Sequence, residues 1–214
     1  TTESLVVNMN GGDDSFSASG NLAALISVTV DGGTGNDTIL GGNGADMLLG
    51  GDGNDFIDGN QGNDTAFLGI GDDVFQWDPG DGSDVVEGQA GADRLVFNAS
   101  AANEIVALSA NGTRLLLTRN VGSVVMDVNG VETVTLNALG GADTITVNDL
   151  AGTDATAFTV NLASTIGGST GDGQADMLVV NATNGGDAIT VTGAGTAFSV
   201  SGLAAAIAGT TSEG

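Results

Sequence analysis

Seven aspartates recur along the centre of this chain at a spacing suited to binding a hard cation. Five follow one another every nine residues, and the spacing resumes after a two-residue insertion: Asp37, Asp46, Asp55, Asp64, Asp73, Asp84 and Asp93. Each aspartate follows a glycine-rich segment, which can turn its carbonyl oxygens inward because glycine tolerates positive φ. Carboxylate and carbonyl oxygens together are the ligands that hard divalent cations prefer.

These aspartates belong to a nine-residue repeat. The copies read GGTGNDTIL from Gly32, GGNGADMLL from Gly41, GGDGNDFID from Gly50 and GNQGNDTAF from Gly59, with a weaker LGIGDDVFQ from Leu68. Six turn-forming residues precede a short strand whose middle residue is apolar. One repeat cannot bury that side chain alone, so the copies must stack, with two repeats to each coil.

Stacking places each aspartate above the one eighteen residues later, at about the 4.8 Å spacing of β-strands. Asp37 then lies over Asp55, Asp46 over Asp64, and Asp55 over Asp73, and the carboxylates repel one another. A divalent cation removes this repulsion. Calcium fits an irregular set of oxygen ligands better than magnesium does, and the absence of histidine and cysteine disfavours softer metals. We therefore expect several bound calcium ions, although aspartates in turns also serve simply to cap backbone amides.

The composition excludes several other functions. The 214 residues include 37 glycines and 27 acidic residues against three arginines and no lysine, for a net charge of −24. Such a chain repels phosphate backbones and anionic membranes, and no apolar run is long enough for membrane insertion. Without histidine, cysteine, tyrosine or lysine it lacks the usual bases and nucleophiles, so we expect no enzyme activity.

The nonapeptide GGxGxDxUx over Gly32 to Val96 resembles the repeat of the RTX family of bacterial calcium-binding proteins. The resemblance implies an all-β fold, a right-handed parallel β-roll or β-helix with stacked calcium-binding turns. It also implies a ligand rule. One turn gives the carbonyls of its second and fourth residues and its aspartate, and the turn two repeats later gives its first and third carbonyls and its aspartate.

Carried over to this sequence, the rule implies three well-matched sites. The first comprises Gly33, Gly35, Asp37, Gly50, Asp52 and Asp55; the second comprises Gly42, Gly44, Asp46, Gly59, Gln61 and Asp64; the third comprises Gly51, Gly53, Asp55, Leu68, Ile70 and Asp73. Two further sites match the motif less well, because Asn60 and Leu68 replace glycines and Pro79 lies in the insertion. They join Asp64 to Asp84, with Asn60, Gly62, Pro79 and Asp81, and Asp73 to Asp93, with Gly69, Gly71, Gly88 and Ala90.

The flanks carry weaker copies of the same pattern. Strand-like LVVNMNGGDD, VTLNALGGAD and LVVNATNGGD segments contain Asp14, Asp143 and Asp187, which we interpret as structural turns. Asp172 and Asp176, in GDGQAD, are better candidates for metal binding. We divide the chain into degenerate turns (1–31), the calcium-binding roll (32–96), a strand-rich insert or further coils (97–137) and degenerate repeats (138–214).

Three smaller features complete the sequence-based expectations. Asn111-Gly112 and Asn129-Gly130 are dipeptides typical of hairpin turns. The arginines Arg94, Arg114 and Arg119 are expected to pair with acidic residues at the surface. Trp77 is expected to cap or plug the roll where the repeat breaks.

Two functions are consistent with the sequence. The first is a calcium-binding structural module of a secreted bacterial RTX protein that folds on calcium outside the cell. The second is a calcium-dependent extracellular fibre or adhesin subunit, of the matrix or surface-layer kind, stacking end to end with copies of itself. The similar terminal segments TTESLVV and AGTTSEG favour tandem or stacked units.

Overall fold

The regular secondary structure of the chain is almost entirely β-strand. The computed structural model describes residues 3–23 and 25–211, and in these ranges the one helical element is a 3₁₀ turn at Val121–Ser123. None of the described residues form a helix long and apolar enough to cross a membrane. The predicted all-β fold is confirmed.

The strands form two sheets of ten strands each. The first sheet contains, in spatial order, β1 (Glu3–Asn8), β3 (Ile26–Thr34), β5 (Met47–Asp52), β7 (Thr65–Ile70), β9 (Val85–Ala90), β13 (Val124–Asn129), β12 (Arg114–Arg119), β11 (Ile105–Asn111), β15 (Thr144–Val147) and β17 (Met177–Val180). The second contains β2 (Ser15–Ser17), β4 (Thr38–Leu40), β6 (Phe56–Asp58), β8 (Val74–Trp77), β10 (Arg94–Asn98), β14 (Thr133–Asn137), β16 (Ala157–Asn161), β20 (Ala206–Thr210), β19 (Ala197–Ser201) and β18 (Thr190–Ala194).

From β1 to β10 the chain alternates between the sheets, so each coil adds one parallel strand to each. Within the repeats the partners are eighteen residues apart, as in Thr38 with Phe56, and twenty apart across the insertion, as in Thr65 with Val85. The apolar residue two positions after each repeat aspartate is 0% exposed in all seven copies: Ile39, Leu48, Ile57, Ala66, Phe75, Val86 and Leu95. The repeat therefore builds the β-roll that its period predicts.

Each sheet also contains one antiparallel segment of three strands. β11, β12 and β13 form one in the first sheet, and β18, β19 and β20 form one in the second. The turn predicted at Asn111-Gly112 joins β11 to β12. The hairpin predicted at Asn129-Gly130 is wrong, because β13 pairs in parallel with β9 and the chain then crosses to β14 in the other sheet.

One hydrophobic core runs between the sheets from Val28 to Ile207. Trp77 is fully buried in it and stacks on Phe97 with ring centroids 4.1 Å apart. Its indole N–H donates to the Gly82 carbonyl at 2.9 Å, within the inserted turn. Trp77 thus fills the core at the insertion.

Candidate metal centre

The repeat aspartates lie in two columns of turns between the sheets. The first column contains the turns that lead from the first sheet to the second, with Asp37, Asp55, Asp73 and Asp93. The second column contains the turns that lead back, with Asp46, Asp64 and Asp84. Each turn therefore lies next to the turn of the neighbouring coil.

Hydrogen bonds join the aspartates of the first column into a ladder. The Asp37 N–H donates to Asp55 Oδ1 at 2.7 Å, the Asp55 N–H to Asp73 Oδ1 at 2.7 Å, and the Asp73 N–H to Asp93 Oδ1 at 2.9 Å. The ladder extends to both sides, because Asp14 donates to Asp37 and Asp93 donates to Glu132. One carboxylate oxygen of each aspartate is thereby fixed by the preceding coil.

The second column repeats this arrangement across the insertion. The Asp46 N–H donates to Asp64 Oδ1 at 2.8 Å, and the Asp64 N–H donates to Asp84 Oδ1 at 2.9 Å. The two additional residues are accommodated in the turn at Asp78–Asp81, where Pro79 is exposed. Both less well matched pairs, Asp64 with Asp84 and Asp73 with Asp93, therefore keep the geometry of the regular repeats.

The second carboxylate oxygen of nearly every repeat aspartate is buried without a hydrogen bond. These orphaned atoms are the Oδ2 atoms of Asp37, Asp55, Asp64, Asp73, Asp84 and Asp93. A buried polar atom without a partner costs about 1–3 kcal/mol, and more when it is charged. Four such atoms in the first column and two in the second are therefore positions that a cation would stabilise.

Asp46 is the exception among the seven aspartates. Its Oδ2 accepts the Gly42 N–H at 2.7 Å. The segment between β2 and β3 has no repeat aspartate, and the N–H that donates to Asp46 Oδ1 belongs to Val28 instead. The second predicted site is therefore less open to a cation in this structure than the first and third.

Carbonyl oxygens of the following coil face the orphaned carboxylate oxygens. A Cβ on Gly32 would stand 2.3 Å from the Gly50 carbonyl oxygen and 2.4 Å from Asp37 Oδ2. A Cβ on Gly50 would stand 2.1 Å from the Leu68 carbonyl oxygen and 2.5 Å from Asp55 Oδ2. Only glycine leaves this space open. The first and third predicted sites each bring an aspartate and the first carbonyl of the later turn together.

The other predicted carbonyl ligands occupy two kinds of environment. The Gly33 and Gly35 carbonyls point at the next coil, 2.1 and 1.9 Å from where Cβ atoms of Gly51 and Gly53 would stand. The Asp52 carbonyl already accepts the Gly35 N–H at 2.8 Å. The Ile70 carbonyl likewise accepts the Gly53 N–H at 2.8 Å. A carbonyl oxygen has two lone pairs, so this hydrogen bond leaves one for a cation.

Burial raises the pKa values of several repeat aspartates in the metal-free protein. It raises the pKa of Asp64 to about 8, of Asp84 and Asp93 to about 7, and of Asp55 to about 6. Neighbouring carboxylates add to the rise, and the backbone N–H donors partly oppose it. These groups resist ionisation until a cation compensates for the lost water.

No cluster of three or more acidic side chains spaced to hold a metal occurs within residues 3–23 and 25–211. A cation in these turns therefore needs backbone carbonyls in addition to a pair of aspartates. Calcium accepts such mixed oxygen ligands readily, at distances of roughly 2.3–2.6 Å. The donor set thus fits calcium.

A second ladder, which our sequence analysis did not identify, flanks the aspartates. The Asn54 N–H donates to Asn36 Oδ1 at 2.7 Å, the Asp72 N–H to Asn54 Oδ1 at 2.9 Å, and the Ala92 N–H to Asp72 Oδ1 at 3.0 Å. The signal in the sequence was the Asn or Asp that precedes many of the repeat aspartates. This second ladder holds the turns in register without involving the orphaned oxygens.

Only glycine fits at the first position of a turn, because the space there is too small for a Cβ atom. A substitution by alanine tests this directly. We expect Gly50→Ala to destabilise the calcium-bound protein by about 3 kcal/mol, because the new methyl group would overlap the Leu68 carbonyl oxygen. Thermal unfolding in calcium measures the effect. Gly186→Ala is the matched control, since a Cβ there meets nothing within 4 Å; equal effects of the two changes would contradict the packing of this turn.

Arg119 forms a buried ion pair, contrary to the expected surface position. It donates to Glu104, and their side chains are 3% and 0% exposed. It also donates to Ser100 Oγ at 3.2 Å, and its guanidinium lies 5.2 Å from the Trp77 ring centroid. Strand β12 therefore places the positively charged Arg119 side chain next to Glu104. By contrast, Arg114 pairs with Glu87 and Asp127 in a partly exposed position.

Removing Arg119 should leave Glu104 as an uncompensated buried charge. We expect Arg119→Met to cost about 3–5 kcal/mol of unfolding free energy, and Arg119→Met combined with Glu104→Gln to recover most of the loss. Arg114→Met, which breaks a more exposed pair, should cost at most about 1 kcal/mol. Denaturant unfolding in saturating calcium compares the three; a double variant no more stable than Arg119→Met would contradict the charge argument.

The ladders and oxygen-lined turns define a calcium-binding repeat protein. The family model for the RTX calcium-binding nonapeptide repeat (4 copies) matches residues 29–57, 40–75 and 80–99. The chain therefore carries RTX calcium-binding repeats, as the resemblance indicated, and this region is a structural repeat that binds calcium.

No curated protein matches the chain. Among solved structures, the extracellular lipase LipA from Serratia marcescens is similar, with 11% sequence identity and a TM-score of 0.23 over 87% of this chain. The match spans only 38% of the lipase chain. A likeness this weak carries no argument about what this chain does.

Proposed function

We propose that this chain is a calcium-binding structural module of a secreted bacterial RTX protein, which folds when it meets calcium outside the cell. The row of buried, unpartnered Oδ2 atoms carries the proposal, because the folded chain needs cations where its sequence provides almost no positive side chains. The repeats occupy less than half of the chain, so the remaining coils serve as the scaffold that continues the core. No catalytic role is proposed.

A calcium titration tests this function. Circular dichroism should report a transition from coil to β-structure at micromolar to millimolar calcium, reversed by chelator, because ion binding is coupled to folding. Equilibrium dialysis should detect several ions per chain. A β-spectrum unchanged between calcium and chelator, together with no bound ions, would overturn the proposal.

A second candidate function is end-to-end assembly into a calcium-dependent fibre or adhesin. At one end of the roll an open apolar cleft of about 460 Å³ is lined by Leu178, Val180, Ile189, Val191, Phe198 and Val200. At the other end, Leu5 of β1 is 43% exposed. Uncovered strand edges with apolar faces tend to pair with other copies.

The outer strands of the first sheet have matching sequences. The segment LVVN occurs in β1 at residues 5–8 and again at residues 178–181, where its first three residues belong to β17. Leu5 and Val7 pair with buried residues of β3, just as Leu178 and Val180 pair with buried residues of β15. A second copy that placed its β1 beside β17 in this register would therefore continue the core.

Sedimentation with and without calcium distinguishes this second candidate. Growth of particle size with calcium, abolished by Val191→Lys, would favour assembly, because Val191 is 68% exposed in the cleft. Val125→Lys is the control, since Val125 is 44% exposed on β13, away from the ends and from the predicted calcium sites. A calcium-folded monomer at high concentration would leave the module as the function.

A further inference from the structure

The aspartate ladder reappears beyond the residues that the repeat family matches. The Glu104 N–H donates to Asp143 Oδ1 at 2.8 Å, and the Asp143 N–H donates to Asp176 Oδ1 at 3.0 Å. The flanking ladder recurs as well, since the Ala142 N–H donates to Asn103 Oδ1 at 3.0 Å. The turns at 99–104, 138–143 and 171–176 thus repeat the hydrogen bonds of the second column, although none of the three has its complete glycine pattern.

The middle turn has the backbone of a repeat turn. Leu139 and Gly141 have φ of 70° and 101°, close to the 97° and 121° of Gly33 and Gly35. Holding leucine in this left-handed region costs roughly 1–2 kcal/mol. The turn therefore keeps a conformation that its sequence does not favour.

Asp143 itself is buried and incompletely satisfied. It is 3% exposed, and its Oδ2 accepts no hydrogen bond. Asp172 is fixed against the same turn, because its Oδ2 accepts the Gly141 N–H at 2.6 Å. Several carboxylates therefore converge on this turn.

The two ends of this ladder differ in their counter-ions. Glu104 is neutralised by the buried guanidinium of Arg119. Asp143 faces Asp172 and Asp176, while Arg114 and Arg119 are committed to other carboxylates. Glu104 Oε2 and Asp143 Oδ2 are both buried without a hydrogen bond, but a guanidinium pairs only with Glu104.

We propose that the turns at 138–143 and 171–176 hold a calcium ion outside the matched repeats, with Asp143 and Asp176 as carboxylate ligands. Asp172 borders the site, but its two carboxylate oxygens already accept the Gly141 and Gln174 N–H groups. The Leu139 and Gly141 carbonyls, at the turn positions corresponding to Gly33 and Gly35, supply neutral oxygens. This proposal differs from our sequence-based interpretation of Asp143 as a structural turn residue, and it rests on the proposed calcium function for the identity of its ion.

The test compares two isosteric substitutions in the full chain. Asp143→Asn keeps Oδ1 to accept the Glu104 N–H and removes the charge, so the ladder persists while the site loses a ligand. Asp187→Asn is the control, because Asp187 is an exposed turn aspartate outside the ladder. Equilibrium dialysis in saturating calcium should give one ion fewer for Asp143→Asn and an unchanged count for Asp187→Asn.

Hydrogen exchange separates this site from the repeats. In the wild-type chain, calcium should protect residues 139–147 and 172–180 as well as 32–75. Asp143→Asn and Asp176→Asn should each lose the protection at 139–147 and retain it at 32–75. An unchanged ion count in both variants, with calcium-independent exchange at 139–147, would overturn this site alone. A wild-type chain that binds no calcium would overturn the proposed function with it.

Discussion

Metal-free protein should lose its β-structure as the pH rises from 5 to 8, and calcium should restore it at pH 8. The folded pKa values of Asp55, Asp84 and Asp64, about 6, 7 and 8, all lie above the ordinary value of 3.8. A carboxyl group whose pKa is raised by folding stabilises the fold while it is protonated. That contribution is complete below the ordinary pKa and disappears as the pH passes the folded pKa.

The magnitudes support a complete transition. A rise of two pKa units corresponds to about 3 kcal/mol for one group, and several groups shift by at least that much. A domain of ordinary stability has roughly 5–15 kcal/mol in total, so ionising all of these aspartates without a cation exceeds what the fold can withstand. Calcium replaces the protons and should release them on binding.

Circular dichroism of chelator-dialysed protein between pH 5 and pH 8 measures this loss of β-structure. The lower limit of pH 5 keeps the acidic chain away from its isoelectric point, where it would precipitate. A parallel series in saturating calcium should retain its β-signal at every pH above about 6. Metal-free protein as stable at pH 8 as at pH 5 would show that the aspartates ionise freely, which contradicts their burial.

Asp55→Asn should have the largest effect on calcium binding of any single change in the repeats. Asp55 lies in the middle of the first column and belongs to both the first and the third predicted site. Its Oδ1 accepts the Asp37 N–H, and its Oδ2 is the orphaned atom near the Leu68 carbonyl. Asparagine keeps the hydrogen bond and places an amide where the cation needs an oxygen.

We expect Asp55→Asn to lose up to two ions and to raise the calcium concentration at the folding midpoint by at least about tenfold, equivalent to about 1.4 kcal/mol. Asp52→Asn is the matched control, since Asp52 is exposed and only its carbonyl is a predicted ligand. Isothermal titration calorimetry and dichroism measure both variants. Equal midpoints for the two would mean that the carboxylates of the first column do not bind the ions.

The repeat region of the fold was predictable because the same short sequence pattern specifies every coil. Every nine residues the sequence specifies a turn, a carboxylate and a buried side chain, so the register of Ile39 over Ile57 follows from the period alone. The hairpins β11–β12 and β18–β19 occur once each. The Asn111-Gly112 dipeptide indicated the turn of the first, but no period specifies which strands each hairpin joins within its sheet.

The site was predictable to a similar degree. The aspartates could be identified from their spacing, whereas the altered partner of Asp46 depends on a neighbouring turn that lacks the motif. Arg119 reaches Glu104 only because an antiparallel strand carries it there. The spacing of residues in the sequence cannot reveal a contact that depends on a strand occurring only once in the fold.

The pairing of residues eighteen apart makes the repeat half of this protein extensible in steps of fixed size. Duplicating one eighteen-residue unit, such as 41–58, would add one strand to each sheet and one turn to each column while preserving every other register. Deleting nine residues would instead send every later strand to the opposite sheet and exchange the two columns. Whole coils can therefore be added or removed in steps of eighteen residues, and this holds only before the antiparallel segments begin.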